Sequence, residues 1–164
     1  MALIAIKDLF ALLPYSKTRP EDIDARQKLQ LVSYMSLFPD SMPVGDLRPF
    51  GPSHTLGRKI GSTYGVPHGI TSCITLSSVV RLYQEHNGDS DVQERLKEAA
   101  AITGRSGDLA TQIYQLIVEL NLDKTLGDYG IPVTEAEKIA ANSLKGLGDV
   151  GFTEQDVAAM LARM

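Results

Sequence analysis

The sequence predicts an all-α domain. Three observations carry that expectation. Apolar residues recur at helical spacing along most of the chain, helix-start signals are frequent, and strand signals are sparse. At 164 residues the length suits one domain spanning 1–164 with a sizeable core, a compact multi-helix bundle of six to eight helices.

The elements follow in order. Met1 to Phe10 carries Lys7 and Asp8 within an apolar pattern and reads as an amphipathic helix; it lacks the basic-then-apolar layout of a signal peptide. No capping residue precedes it, so the start reads either as a cut through a larger structure or as a buried N-terminus. Thr18-Arg-Pro-Glu21 combines a capping box with Pro20 near a first helical position. Ile23, Leu29, Leu31, Val32, Met35 and Leu37 recur behind it at helical spacing. Ser90 to Gln93, Thr134 to Glu137 and Thr153 to Asp156 read as three more helix starts, the last weakened by Asp where Glu or Gln is usual. Leu109, Ile113, Leu116, Ile117 and Leu120 form one helical face. Pro and Gly punctuate between these runs, at 39–52, 104–107, 127–132 and 146–151.

Composition excludes several function classes. Net charge is −4 with no basic stripe, which argues against nucleic acid as a partner. No apolar run approaches the about 20 residues that span a bilayer. Cys73 is the one cysteine, so no disulfide forms within the chain, and a reducing, cytoplasmic location is expected.

The informative stretch is Gly51 to Leu82, GPSHTLGRKIGSTYGVPHGITSCITLSSVVRL. With its first half helical, His54, Gly57, Arg58, Gly61 and Gly65 fall within about 100° of arc. Each helical glycine costs about 1 kcal/mol relative to alanine, so the bare stripe implies close approach of another backbone or of a ligand. His54 and Arg58 flank it. Val66-Pro67 breaks the helix and His68-Gly69 opens the next, so that two histidines converge at a helix–turn–helix corner. Spacing alone makes no metal signature of them, and a stripe of small residues serves plain helix packing as readily as a binding groove. Tyr64, Lys59 and Ser53 lie nearby and read as structural or exposed, His86 as solvated at a helix end, and Cys73 as a buried small residue.

The run GPSHTLG-x₃-G-x₃-G-x-PHG, followed by Thr71-Ser-Cys-Ile-Thr-Leu, resembles the signature segment of iron-containing alcohol dehydrogenases and maleylacetate reductases. The likeness extends more loosely to Ala25–Ser33, to Leu126–Pro132 and to Thr153–Leu161. It implies the helical, metal-carrying C-terminal domain of that family. There, one divalent iron or zinc is held by an Asp, a His four residues on, and the two signature histidines, which map onto His54 and His68. The ion polarises an alcohol or carbonyl oxygen while NAD(P) exchanges hydride. Arg58 stands where the family has a second, non-ligand histidine; its permanent charge cannot relay a proton.

Several departures follow from the residues themselves. No D-x-x-x-H occurs, because Phe50, Tyr64 and Leu82 stand four before the three histidines. No Gly-Gly-Gly-Ser phosphate loop is present. Gly146-Leu-Gly-Asp-Val-Gly151 matches G-x-G-x-x-G only formally: it follows a helix read over Thr134–Lys145 rather than a strand. Asp46, Arg48 and Phe50 sit before His54, where the family has small, apolar residues. Three functions fit this pattern. The first is the metal-carrying domain of an alcohol–carbonyl oxidoreductase, without hydride transfer in isolation. The second is a repurposed non-redox enzyme (isomerase, dehydratase or cyclase) using His54 or His68 as acid or base and Arg58 to hold an anion or polarise a carbonyl. The third is a non-catalytic partner of a full-length homologue. The expected ligand is a small alcohol, aldehyde or ketone; homo-oligomerisation and association with such a homologue are both compatible.

Overall fold

A computed structural model describes residues 2–41 and 50–164, without the side chains of 37–41; Met1, Leu37, Asp46 and Arg48 therefore lie outside the described residues or side chains. The elements are α1 (Ala2–Thr18), α2 (Ile23–Ser41), α3 (Pro52–Tyr64), α4 (His68–His86), α5 (Ser90–Ile102), α6 (Leu109–Glu119), α7 (Ala136–Ala140) and α8 (Glu154–Leu161). Two 3-10 turns, Gly127–Tyr129 and Val133–Glu135, lie between α6 and α7. No strand occurs among the described residues, so the all-α expectation holds.

Helix α4 is the axis. It packs against α3, α5, α6 and α8, while α1 packs on α2, α5 and α6, and α7 on α3 and α8. Its sequence explains the role. Thr71, Thr75 and Ser77 are small enough for neighbours to come close, and each spends its hydroxyl on a carbonyl: Thr71 on His68 at 2.7 Å, Thr75 on Thr71 at 2.9 Å, Ser77 on Ala110 of α6 at 2.9 Å. The main core joins α3, α4, α7 and α8 around Leu56, Ile60, Ile139, Val157 and Leu161, all at most 1% exposed. Each such aliphatic side chain contributes about 1.5–3 kcal/mol by leaving water. Gln112 of α6 is buried and fully satisfied. Its amide donates to Arg105 and Gly107 carbonyls at 3.0 and 2.8 Å and accepts from the Thr103 hydroxyl at 2.7 Å, which fixes the 103–108 loop.

Helix boundaries depart from the sequence reading in four places. α1 runs past Phe10 and through Pro14 to Thr18, whose hydroxyl bonds back to the Tyr15 carbonyl at 2.9 Å instead of capping the next helix. The cap of α2 is Asp22, whose Oδ1 accepts from the Ala25 amide at 3.0 Å. α5 is capped by Asp89, one residue before Ser90, and Gln93 turns back to the Tyr83 and Asn87 carbonyls. α7 ends at Ala140 and not at Lys145, because Ala141 leaves helical geometry and Asn142 takes a left-handed φ of 63°. At α8 the doubted box is formed: the Thr153 amide donates to Asp156 Oδ2 at 2.7 Å and the Asp156 amide to Thr153 Oγ1 at 3.2 Å.

Candidate metal and substrate site

The site is built by the corner between α3 and α4. Extended Gly51 leads into Pro52 at the first position of α3, where the missing N–H costs nothing. His54 then falls in the first turn. Two ties hold this turn. The Ser53 and Thr75 hydroxyls share a hydrogen bond at 2.8 Å, and the Thr55 hydroxyl donates to the Ser143 carbonyl at 2.7 Å. α3 stops at Gly65, which has φ 72° and donates to the Gly61 carbonyl, and Pro67 caps α4. The short return brings His68 back onto His54, with ring centroids 5.0 Å apart and planes at 85°. Phe50 stacks on the other side of His54 at 4.2 Å.

The electrostatics favour the neutral form of His54. Its partial burial, then the neighbouring His68 and Arg58, hold its pKa below the ordinary 6.5. A neutral ring keeps the lone pair that either metal binding or proton abstraction requires. Arg58 lies exposed one turn beyond His54. It lines an open cleft of about 560 Å³ together with Gly57, Lys59, Ser62, His68 and Asn142.

The glycine stripe has a packing answer. A Cβ on Gly57 would lie 2.7 Å from Thr71 Oγ1 and 3.8 Å from His68 Cε1, and one on Gly61 would lie 3.1 Å from the Val66 carbonyl oxygen. What approaches is α4 and the turn that feeds it. Gly65 stands at the cap, outside the helix. The other polar neighbours are structural: Lys59 donates to the Ala141 carbonyl, and the Tyr64 hydroxyl to Glu135 at 2.5 Å. Cys73 is half-buried rather than fully buried, and the burial it has raises the thiol's pKa. His86 ends α4, about 27 Å along the axis from His68, and lies exposed beside Glu85. The 146–151 glycines belong to a loop docked on the end of α4, where Asn87 Nδ2 donates to the Val150 carbonyl at 3.1 Å.

The sequence reading missed three features. Phe50 is a ring partner of His54. Thr71 fills the space that Gly57 leaves. Asn142 lines the cleft, and the buried Ser143 next to it accepts the Thr55 hydroxyl through its carbonyl; an Asn at a helix end is a signal for left-handed geometry.

The donor set can be tested against a metal. Two imidazoles on one tetrahedral ion, with N about 2.0–2.1 Å from it, have ring centroids about 5 Å apart, which the His54–His68 separation matches. Among the described residues, no group of three or more His, Cys, Asp and Glu side chains comes together. Among the described residues the corner thus offers two imidazoles, at a centroid separation that suits a shared ion.

The sequence profile of the Fe-containing alcohol dehydrogenase family, C-terminal, matches residues 1–163. Dehydrogenase ALT3 of Alternaria alternata is 33% identical over 111 residues, a match covering 58% of this chain and 28% of that protein. The fold is similar to the crystal structure of 1,3-propanediol oxidoreductase, with a TM-score of 0.76 at 20% identity, over 98% of this chain and 43% of that one. The chain therefore spans less than half the length of the proteins it matches. The profile match over residues 1–163 places it in one group: the chain belongs to the Fe-containing alcohol dehydrogenase family, as its C-terminal domain.

Proposed function

We propose that this domain supplies two donors, His54 and His68, to a divalent iron or zinc centre of an alcohol–carbonyl oxidoreductase. The remaining donors and the rest of the NAD(P) site then come from outside the described residues. The observation that carries the reading is the meeting of the two rings 5.0 Å apart at the α3–α4 corner, with the neutral form of His54 favoured. The names of both relatives, a dehydrogenase and an oxidoreductase, favour redox chemistry. A bound ion would supply Lewis acidity toward an alcohol or carbonyl oxygen. The chain's own residues do the rest: the Ser53–Thr75 and Thr55–Ser143 bonds fix the first turn of α3, Phe50 covers one face of His54, and Arg58 offers a fixed positive charge to the ligand. No helix among the described residues is long and apolar enough to cross a membrane, and the lone, burial-raised Cys73 thiol suits a cytoplasmic setting.

A second reading rests on Arg58. A guanidinium beside two imidazoles suits a metal-free isomerisation, dehydration or cyclisation, with His54 or His68 moving the proton and Arg58 stabilising an oxyanion. One experiment separates the two. The chain, purified without a metal-affinity tag, is titrated with Zn²⁺ while the histidine ring resonances are followed. The metal reading expects weak binding that shifts both His54 and His68 and is lost in His54→Ala and in His68→Ala. Binding that ignores both substitutions sinks it; no binding at all leaves the metal-free reading.

A further inference from the structure

We infer that the cleft beside the histidine pair is an oxyanion site, so that the ligand this domain receives carries a carboxylate or phosphate group held by Arg58. The inference rests on the proposed function only for the statement that the group belongs to a substrate or cofactor; the binding itself needs no metal. Four observations support it. Among the described residues, those lining the cleft include two basic side chains, Arg58 and Lys59, and no acidic one. Arg58 is exposed and stands in no ion pair among the described residues, whereas Arg81 and Arg105 engage Asp108 at 3.5 Å and Glu119 at 2.7 Å. Lys59 is held by the Ala141 carbonyl, which carries no formal charge, so no carboxylate offsets it beside Arg58 among the described residues. Ser62 and Asn142 add neutral hydrogen-bonding groups to the rim, and His68 adds an imidazole beside them.

The chemistry of the occupant follows. A guanidinium presents planar paired donors that match the paired oxygens of a carboxylate or phosphate, and such charge-assisted bonds are about twice as strong as neutral ones. A simple alcohol or aldehyde has nothing to set against that fork. The cleft is open, with room for an anionic end group rather than an enclosed apolar chain. His68 spans both places. It lines the cleft and meets His54, so an oxyanion on Arg58 would place the rest of its molecule at the histidine pair. Two sources share this chemistry: a carboxylate on the substrate, and the phosphate bridge of a nicotinamide nucleotide.

The test uses the full chain, freed of metal, in chloride buffer. Inorganic pyrophosphate, succinate and neutral glycerol are titrated separately while backbone amide resonances are followed, against Arg58→Gln and, as a charge control, Lys97→Gln on exposed α5. The expected result is saturable binding of pyrophosphate or succinate that shifts the Gly57, Arg58 and Gly61 amides. Affinity should fall about tenfold or more in Arg58→Gln and stay unchanged in Lys97→Gln. Arg58 is exposed, so its replacement leaves the fold intact; the circular dichroism of the variant checks this. Pyrophosphate without succinate assigns the site to the cofactor phosphate, and succinate without pyrophosphate to a substrate carboxylate. Absence of oxyanion binding, equal binding of glycerol, or equal loss in both variants overturns the inference. Because none of these readings involves metal, failure here is distinct from failure of the zinc titration.

Discussion

Gly57 shows how one residue sets the geometry of the site. Alanine is the better helix former by about 1 kcal/mol, so an exposed helical glycine would gain from replacement. Here the new Cβ would meet Thr71 Oγ1 at 2.7 Å, and Thr71 cannot swing aside: it is fully buried and its hydroxyl is held by the His68 carbonyl. Overpacking of this kind costs about 1–3 kcal/mol and outweighs the propensity gain. Gly57→Ala is therefore expected to destabilise by about 1–2 kcal/mol in urea unfolding and to move the His68 ring resonances. Adding Thr71→Ala should recover part of the loss, because the two positions share one space. A stabilised Gly57→Ala would show that α4 does not lie so close. At this scale the sequence announced that something approaches the stripe, and it named His54, Arg58 and His68. It did not say what approaches, because a glycine's partner is decided by tertiary packing and Thr71 lies fourteen positions away along the chain.

Helix starts show what local chemistry can and cannot specify. The pattern Thr-x-x-Asp at 153–156 forms a full capping box even though Asp is one methylene shorter than Glu, since Oδ2 still reaches the Thr153 amide at 2.7 Å. Thr153→Ala is expected to cost about 1 kcal/mol in thermal or urea unfolding, the ordinary worth of a helix cap. An effect near zero would mean that α8 is held by packing alone. The apparently better signals at Thr18, Ser90 and Thr134 fail for identifiable reasons. At Thr18 the preceding helix claims the hydroxyl, and Asp22 caps instead. At Ser90 an acceptor one residue earlier, Asp89, takes the Asp91 amide at 2.8 Å. At Thr134 the chain enters through a 3-10 turn after Pro132, and the helix that follows has five residues. Periodicity located the longer elements, where an apolar face repeats over several turns. Caps are a competition between neighbouring acceptors, and a motif scan does not rank the competitors. The α3–α4 corner was legible because Gly65 and Val66-Pro67 stop one helix and His68-Gly69 starts the next within a few residues. The cleft's far wall was not, because Asn142 reaches it from a distant part of the sequence, beside the Ser143 carbonyl that the Thr55 hydroxyl binds.

Across the whole molecule, the same caps set how stability responds to acid. Asp22, Asp108, Asp128 and Asp156 each begin a helix or turn, and each has a pKa below the ordinary 3.8, first because of a backbone N–H: that of Ala25, Thr111, Thr125 and Thr153 respectively. Arg81 near Asp108 and His86 near Asp156 act in the same direction more weakly. The folded state thus prefers the carboxylate form. A carboxyl whose folded pKa is depressed contributes stability that is fully present above its unfolded pKa, about 3.9, and is lost as pH falls through the folded value. These four positions are spread from α2 to α8, so the loss is shared by the entire bundle rather than confined to one end. The urea midpoint is expected to stay level from pH 7 down to about 5 as far as these groups are concerned, and to drop steadily below about 4. Asp156→Asn supplies the contrast: asparagine can still accept the Thr153 amide bond but does not titrate, so its curve should fall less steeply in acid. Because the groups act through short hydrogen bonds more than through distant charges, added salt should change the slope little. A midpoint that stays flat between pH 5 and 2.5 would show that these caps do not prefer the ionised carboxyl, and the helix starts would then have to be held by the packing of α4 against its neighbours.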